Sequence, residues 1–112
     1  MPDSGSLEHV TAEEAIELAN EGATLIDVRE QWEWDAGHAP QATHIPMGSL
    51  GDHLDELPMD VLIICHSGGR SLTVATALAE SGFRAVNVLG GMIAWEQSGG
   101  VVVRPAPQAP LA

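Results

Sequence analysis

The residues best suited to chemistry lie in one stretch, Cys65-His66-Ser67-Gly68-Gly69-Arg70-Ser71. It runs directly on from Val61-Leu-Ile-Ile, a short apolar run that reads as a buried strand. It leads into the alanine-rich stretch Ser71 to Ser81, which reads as a helix stopped by Gly82. Such a strand delivers Cys65 to its carboxyl end. Gly68 and Gly69 can both adopt positive φ, so consecutive backbone N–H groups can turn inward as a nest. The helix, opening near Arg70 or Ser71, adds partial positive charge at its N-terminus, and Arg70 adds a full charge. A sulfur in these surroundings is stabilised as the thiolate and becomes a nucleophile. The same nest would hold any anionic group the sulfur acquires. Cys65 is therefore the candidate catalytic residue, and His66, Ser67, Gly68, Gly69, Arg70 and Ser71 form the candidate binding loop. For Ser71, capping the helix and touching an anion are equal readings.

The elements that must position this loop alternate in type. Thr11 is an N-cap, with Glu14 completing a capping box. A helix then runs to about Asn20 and ends at Gly22. Ala23 to Val28 reads as a buried strand, Gln31 to Ala36 as a short helix stopped by Gly37, and Thr43-His-Ile as a brief strand closed by Pro46. Gly48 to Leu57 reads as helical, Ala85-Val-Asn-Val as a strand, and Gly90-Gly opens a last helix through Trp95. Strands alternating with helices predict an α/β fold with a parallel sheet, whose ligands sit at the carboxyl ends of strands. Asp27 and Arg29 follow a strand end and so lie on the same edge as Cys65. They are expected either to set the pocket's electrostatics or to pair internally and support the loop region.

His38 is expected to hydrogen-bond backbone. His9, His44 and His53 have no metal-ligand spacing with one another or with Cys65, so no metal site is assigned, and no cofactor is expected. Of Trp32 and Trp34, which flank Glu33, one is expected to pack inward and one to line the mouth. Trp95 is expected in the core and Met92 at the pocket's border.

At 112 residues and 45% hydrophobic content, the chain suits one compact domain. The single cysteine excludes a disulfide scaffold and fits a reducing, cytoplasmic setting. No apolar run reaches the length of a membrane span. Met1 to Ser6 has neither the basic residues nor the apolar core of a secretory signal. A net charge of −12 disfavours nucleic acid and anionic membranes as partners. Fourteen of the 16 acids lie in residues 1–60, so the half carrying Cys65 is spared negative charge. Residues 1–6 read as an N-terminal tail, 7–97 as the domain, and 98–112 as a proline-rich C-terminal tail.

The loop resembles the active-site loop of the rhodanese family of sulfurtransferases, and the resemblance spans about residues 7–97. Asp27-Val-Arg-Glu is similar to a family segment. So are Gly37-His-Ala-Pro with Ala42 and Ile45-Pro46, and Val88-Leu-Gly-Gly-Met followed by Ala94-Trp95. The resemblance implies a rhodanese-like domain: a central, mostly parallel sheet of about five short strands flanked by helices on both faces.

Four residues separate Cys65 from Arg70. In this superfamily that spacing makes a loop sized for sulfur, whereas five make the wider loop of the Cdc25-type phosphatases. The spacing also argues against an arsenate reductase. The implied reaction moves sulfane sulfur from a small donor, thiosulfate or a persulfide, to a thiophilic acceptor (cyanide, a thiol or a protein) through a Cys65 persulfide. A second reading is a relay or binding module that exchanges sulfur with partner proteins and has weak small-molecule activity. The family often has arginine or lysine after the cysteine, where this chain has His66. A histidine is charged only part of the time near neutral pH, which implies modest use of an anionic donor. The oligomeric state is not legible in the sequence.

Overall fold

The computed structural model describes residues 5–104. Residues 1–4 and 105–112, with most of the expected N-terminal tail and the proline-rich end, lie outside the described residues.

Val61, Leu62, Ile63 and Ile64 are all buried, which requires apolar cover on both sides of one strand. The fold supplies it. This strand, β4 (Asp60–Ile64), lies in the middle of a five-stranded sheet with β1 (Ser6–Val10), β2 (Leu25–Asp27), β3 (Ala42–His44) and β5 (Arg84–Val88). The order is β1-β5-β4-β2-β3, and every pairing is parallel.

Alternation along β4 sends Val61, Ile63 and Cys65 to one face and Leu62 and Ile64 to the other. The first set packs with Val74, Ala75 and Leu78 of α3 (Gly69–Glu80) and with Leu50 of a 3-10 segment, Met47–Glu56. The second packs with Ala12, Ala15 and Ala19 of α1 (Ala12–Asn20) and with Met92 and Trp95 of α4 (Gly91–Gln97). Ile63 has no exposed surface, so Ile63→Ala would cost about 2–5 kcal/mol. The remaining helix, α2 (Gln31–Ala36), follows β2.

Thr11 caps α1 as its sequence predicts: the Glu14 N–H donates to Thr11 Oγ1 at 3.1 Å, and the Thr11 N–H donates to Glu14 Oε1 at 3.3 Å.

Three features differ from the expected layout. The first strand is absent from the sequence reading, and it begins at Ser6, inside the span read as tail. Only Leu7 and Val10 are apolar there, because β1 is an edge strand pairing with β5 alone and leaving Glu8 and His9 exposed. The stretch read as helical from Gly48 to Leu57 is 3-10, Met47–Glu56. Gly48 and Gly51 weaken an α-helix there. The C-terminal boundary drawn after residue 97 cuts through a packed segment. The buried Trp95 indole needs an acceptor, and its N–H donates to the Val101 carbonyl at 3.0 Å. Val103 and His38 then exchange backbone hydrogen bonds of 2.8 and 2.9 Å as an antiparallel bridge.

Candidate active site

Cys65 is 1% exposed and follows the last residue of β4. Its position depends on what the backbone does next. Gly68 adopts φ +109°, a left-handed conformation that L side chains rarely reach, and its N–H points back at Cys65 Sγ, 3.1 Å away. Gly69 has no positive φ. It is the first residue of α3, which starts earlier than the sequence suggests, so the left-handed turn is made by Gly68 alone. The twelve-residue helix thus begins directly over the sulfur, with its N-terminal dipole favouring negative charge there.

Ser71 completes the sulfur's surroundings. Its Oγ lies 3.3 Å from Sγ, 2.7 Å from Asn87 Oδ1 and 3.2 Å from the Gly68 carbonyl. The hydroxyl has one proton and several acceptors around it. When it donates to Asn87, it can accept from a thiol; when the sulfur is anionic, it can turn that proton toward Sγ. Ser71 is wholly buried at the third position of α3, whose N-cap is Gly68, and its hydroxyl lies against the sulfur.

The loop's other side is held by α4. Met92 N–H donates to the Cys65 carbonyl at 2.8 Å, and Ile93 N–H donates to the His66 carbonyl at 3.1 Å. In trans peptides the N–H points opposite to the C=O, so the His66 and Ser67 amides turn away from α4. This close approach requires Gly91, at φ +55°, because a Cβ there would overlap the Cys65 and His66 carbonyls. The His66 and Ser67 side chains are exposed.

Arg70 is engaged differently from the sequence expectation, in which its charge faced the sulfur. Its guanidinium makes a two-armed pair with Glu33 of α2, at 2.6 and 2.8 Å. The hydrogen bonds from Arg70 hold the Glu33 carboxyl at about 2, well below its ordinary 4.5. Burial pushes the other way, and the Glu30 amide adds to the lowering. Arg70 is correspondingly raised, chiefly by its bonds to Glu33, with a smaller contribution from the Cys65 sulfur.

Asp27 and Arg29 form an internal unit. Arg29 Nη2 lies 2.7 Å from Asp27 Oδ2, and Nε lies 3.0 Å from both carboxylate oxygens. The guanidinium then donates to the carbonyls of Gly37 and Glu33, at 2.8 and 3.3 Å. It therefore ties the end of β2 to the middle and the C-terminal end of α2, and Glu33 sits on that tied helix. His38 Nδ1 bonds the Trp34 carbonyl at 2.9 Å, and His44 Nε2 bonds the Arg29 carbonyl at 2.7 Å. Both imidazoles stack on Trp34. Trp34 is the half-buried tryptophan of the pair, Trp32 is 72% exposed, and Trp95 is fully buried.

A cavity of about 280 Å³ opens beside the loop, bordered by His66, Trp32, Glu33, Met92, Ile93 and Val102 among others. Among the described residues no cluster of His, Cys, Asp or Glu could hold a metal ion. No described helix is long and apolar enough to cross a membrane.

Two residues of the site escape the sequence reading. Asn87 shares the inward face of β5 with Ala85, and a lone amide in a buried strand was the available signal. Glu33 had a weaker signal, an acid between two tryptophans, because nothing local shows that it reaches Arg70.

Comparison with known proteins places these features together. A family model described as the rhodanese-like domain matches residues 11–98. The YtwF protein of Bacillus subtilis (strain 168), a sulfurtransferase by name, is 49% identical over 80 residues, covering 70% of this chain and 78% of its own. The thiosulfate sulfurtransferase GlpE of Actinobacillus pleuropneumoniae serotype 3 (strain JL03) is 38% identical over 100 residues, covering 86% and 93%. The crystal structure of a rhodanese-like domain protein from Staphylococcus aureus superposes with a TM-score of 0.74 at 35% identity, covering 79% of this chain and 90% of that one.

Proposed function

The chain belongs to the rhodanese-like domain family, and from that premise we propose that it transfers sulfane sulfur through a persulfide on Cys65. The observation that carries this reading is the sulfur's setting: Sγ lies 3.1 Å from the Gly68 N–H and 3.3 Å from the Ser71 hydroxyl, at the start of α3. These groups, with the helix N-terminus, favour negative charge at the reacting sulfur.

The first half-reaction, written for thiosulfate, is an attack by the Cys65 thiolate on the outer sulfur. A new S–S bond forms, the S–S bond of thiosulfate breaks, and sulfite leaves with the bonding pair. The persulfide keeps one negative charge on its outer sulfur, next to the positive end of α3. In the second half, a thiophile such as cyanide or a thiol takes the terminal sulfur and returns the thiolate. In the loop of His66, Ser67, Gly68, Gly69, Arg70 and Ser71, the sulfur's contacts come from Gly68 and Ser71, and Asp27 and Arg29 support the loop through α2, whose Glu33 holds Arg70. The Cys65 thiol suits a reducing compartment such as the cytoplasm.

The test is steady-state kinetics with thiosulfate and cyanide, following thiocyanate. Two separated half-reactions give parallel double-reciprocal lines, and Cys65→Ser abolishes turnover. Intersecting lines, or turnover surviving in the variant, would refute the covalent route.

The structure also gives weight to the relay reading, because Arg70 is committed to Glu33. A partner-dependent module would load from a protein persulfide while turning over thiosulfate poorly.

A further inference from the structure

The charges around the site are balanced in a way that bears on the donor. The chain has four Lys or Arg residues in all, and each is an arginine held by a carboxylate. Arg29 pairs with Asp27 at 2.7 Å, Arg70 with Glu33 at 2.6 Å, Arg84 with Asp60 at 3.4 Å, and Arg104 with Glu96 at 2.8 Å. Three of these pairs, those of Arg29, Arg70 and Arg104, stand around the loop and its cavity. A dianion arriving at Cys65 therefore meets no fixed positive charge that is not already neutralised, on a protein of net charge −12. Beyond these pairs and the His66 side chain, the cavity is lined by apolar groups, Trp32, Ala36, Met92, Ile93 and Val102 among them. Trp32 is 72% exposed and Ile93 is 42% exposed, so both present apolar surface to a ligand at the mouth.

We propose that Glu33 is a specificity-determining residue, which neutralises Arg70 so that the site takes sulfur from donors with an apolar organic body in preference to dianions such as thiosulfate. The inference rests on the sulfur-transfer reading and names its donor class, an organic persulfide R–S–SH whose R group lies against Trp32 and Ile93. Cys65 thiolate attacks the outer sulfur. The S–S bond of the donor breaks, R–S⁻ leaves with the bonding pair, and the proton stays on the transferred sulfur. Persulfides on a small thiol and on a protein share this chemistry.

The probe pair is benzenethiosulfonate, a monoanion with an aromatic body, against thiosulfate. Attack on its outer sulfur releases benzenesulfinate and leaves the same Cys65 persulfide. In the unaltered protein the aromatic donor is expected to show kcat/KM about tenfold above thiosulfate, the scale of one modest charge interaction near a protein surface. Glu33→Gln keeps a hydrogen bond to Arg70 but frees its charge. It should lower KM for thiosulfate about five- to tenfold with little change in kcat, and make that KM salt-sensitive. A purely structural Glu33 would instead depress kcat with both donors alike.

Trp32→Ala, at an exposed position that cannot unfold the domain, should lower kcat/KM more for the aromatic donor than for thiosulfate. To separate protein from small carriers, Cys65 loading by glutathione persulfide is compared with loading by a persulfidated protein thiol. Faster loading by either keeps the proposal and names the source. Equal use of both probes by the unaltered protein, or an unchanged thiosulfate KM in Glu33→Gln, would overturn it while leaving sulfur transfer standing. Failure of every donor to place sulfur on Cys65 would take down both readings.

Discussion

Gly91→Ala is the sharpest perturbation of the packing that aims the loop. At φ +55° an alanine pays the left-handed penalty, about 1–2 kcal/mol. Its methyl would also fall on the Cys65 and His66 carbonyls, which accept from the Met92 and Ile93 amides at 2.8 and 3.1 Å. Backbone cannot yield as a flexible side chain does, so α4 must separate from the loop and weaken both hydrogen bonds, at about 0.5–1.5 kcal/mol each. Together the loss is about 2–5 kcal/mol, a large share of the roughly 5–15 kcal/mol that stabilises a domain. Gly22→Ala provides the comparison. Gly22 has φ +99° but open space around it, so only the conformational penalty applies. Urea unfolding of both variants, with unchanged slope, reads the difference as a shift in midpoint. The folded fraction of Gly91→Ala should also take up sulfur on Cys65 more slowly, because its loop is displaced. Equal midpoint shifts for the two variants, with unaltered sulfur uptake by Gly91→Ala, would refute the claim that α4 holds the loop in place.

Asp27→Ala would leave the Arg29 guanidinium buried without its carboxylate, at 5% exposure, and should cost about 3–5 kcal/mol by thermal or urea unfolding. The Glu33 carboxyl titrates at about 2 in the fold against an ordinary 4.5, so the charged form stabilises the native state. That stability is fully present above pH 4.5 and is lost as pH falls toward 2. Because Arg70 is 36% exposed and partly screened, it amounts to about 1–2 kcal/mol. The stability gap between the unaltered protein and Glu33→Gln should therefore be constant above pH 5 and close on acidification. His66→Arg should lower KM for thiosulfate, because it sets a fixed positive charge at an exposed loop position bordering the cavity. An unchanged KM would show that the His66 position plays no part in donor binding.

Much of this site was legible because its signals are local. The apolar run Val61–Ile64, the glycine at 68 and the helix that follows are neighbours in sequence, and together they put Cys65 at a strand end under a helix N-terminus. The capping box of Thr11 and Glu14 is local in the same sense. What escaped depends on contacts between distant residues. Glu33 and Arg70 are 37 positions apart, and only the orientation of α2 brings them together. Asn87 is 16 positions from Ser71 and meets it because β5 pairs with β4. Edge strand β1 carries too few apolar residues to announce itself, since half of it faces water. The packed segment after α4 was obscured by the prolines beyond it, although the indole of a buried Trp95 always required an acceptor nearby.

The central claim is that Cys65 carries sulfur covalently, and intact mass spectrometry tests it most directly. The protein is weighed before and after exposure to benzenethiosulfonate or thiosulfate, and again after cyanide, with Cys65→Ala alongside. The account predicts a gain of one sulfur atom that cyanide removes and that the variant never shows. A gain of equal size in Cys65→Ala, or no gain from any sulfane donor, would contradict it.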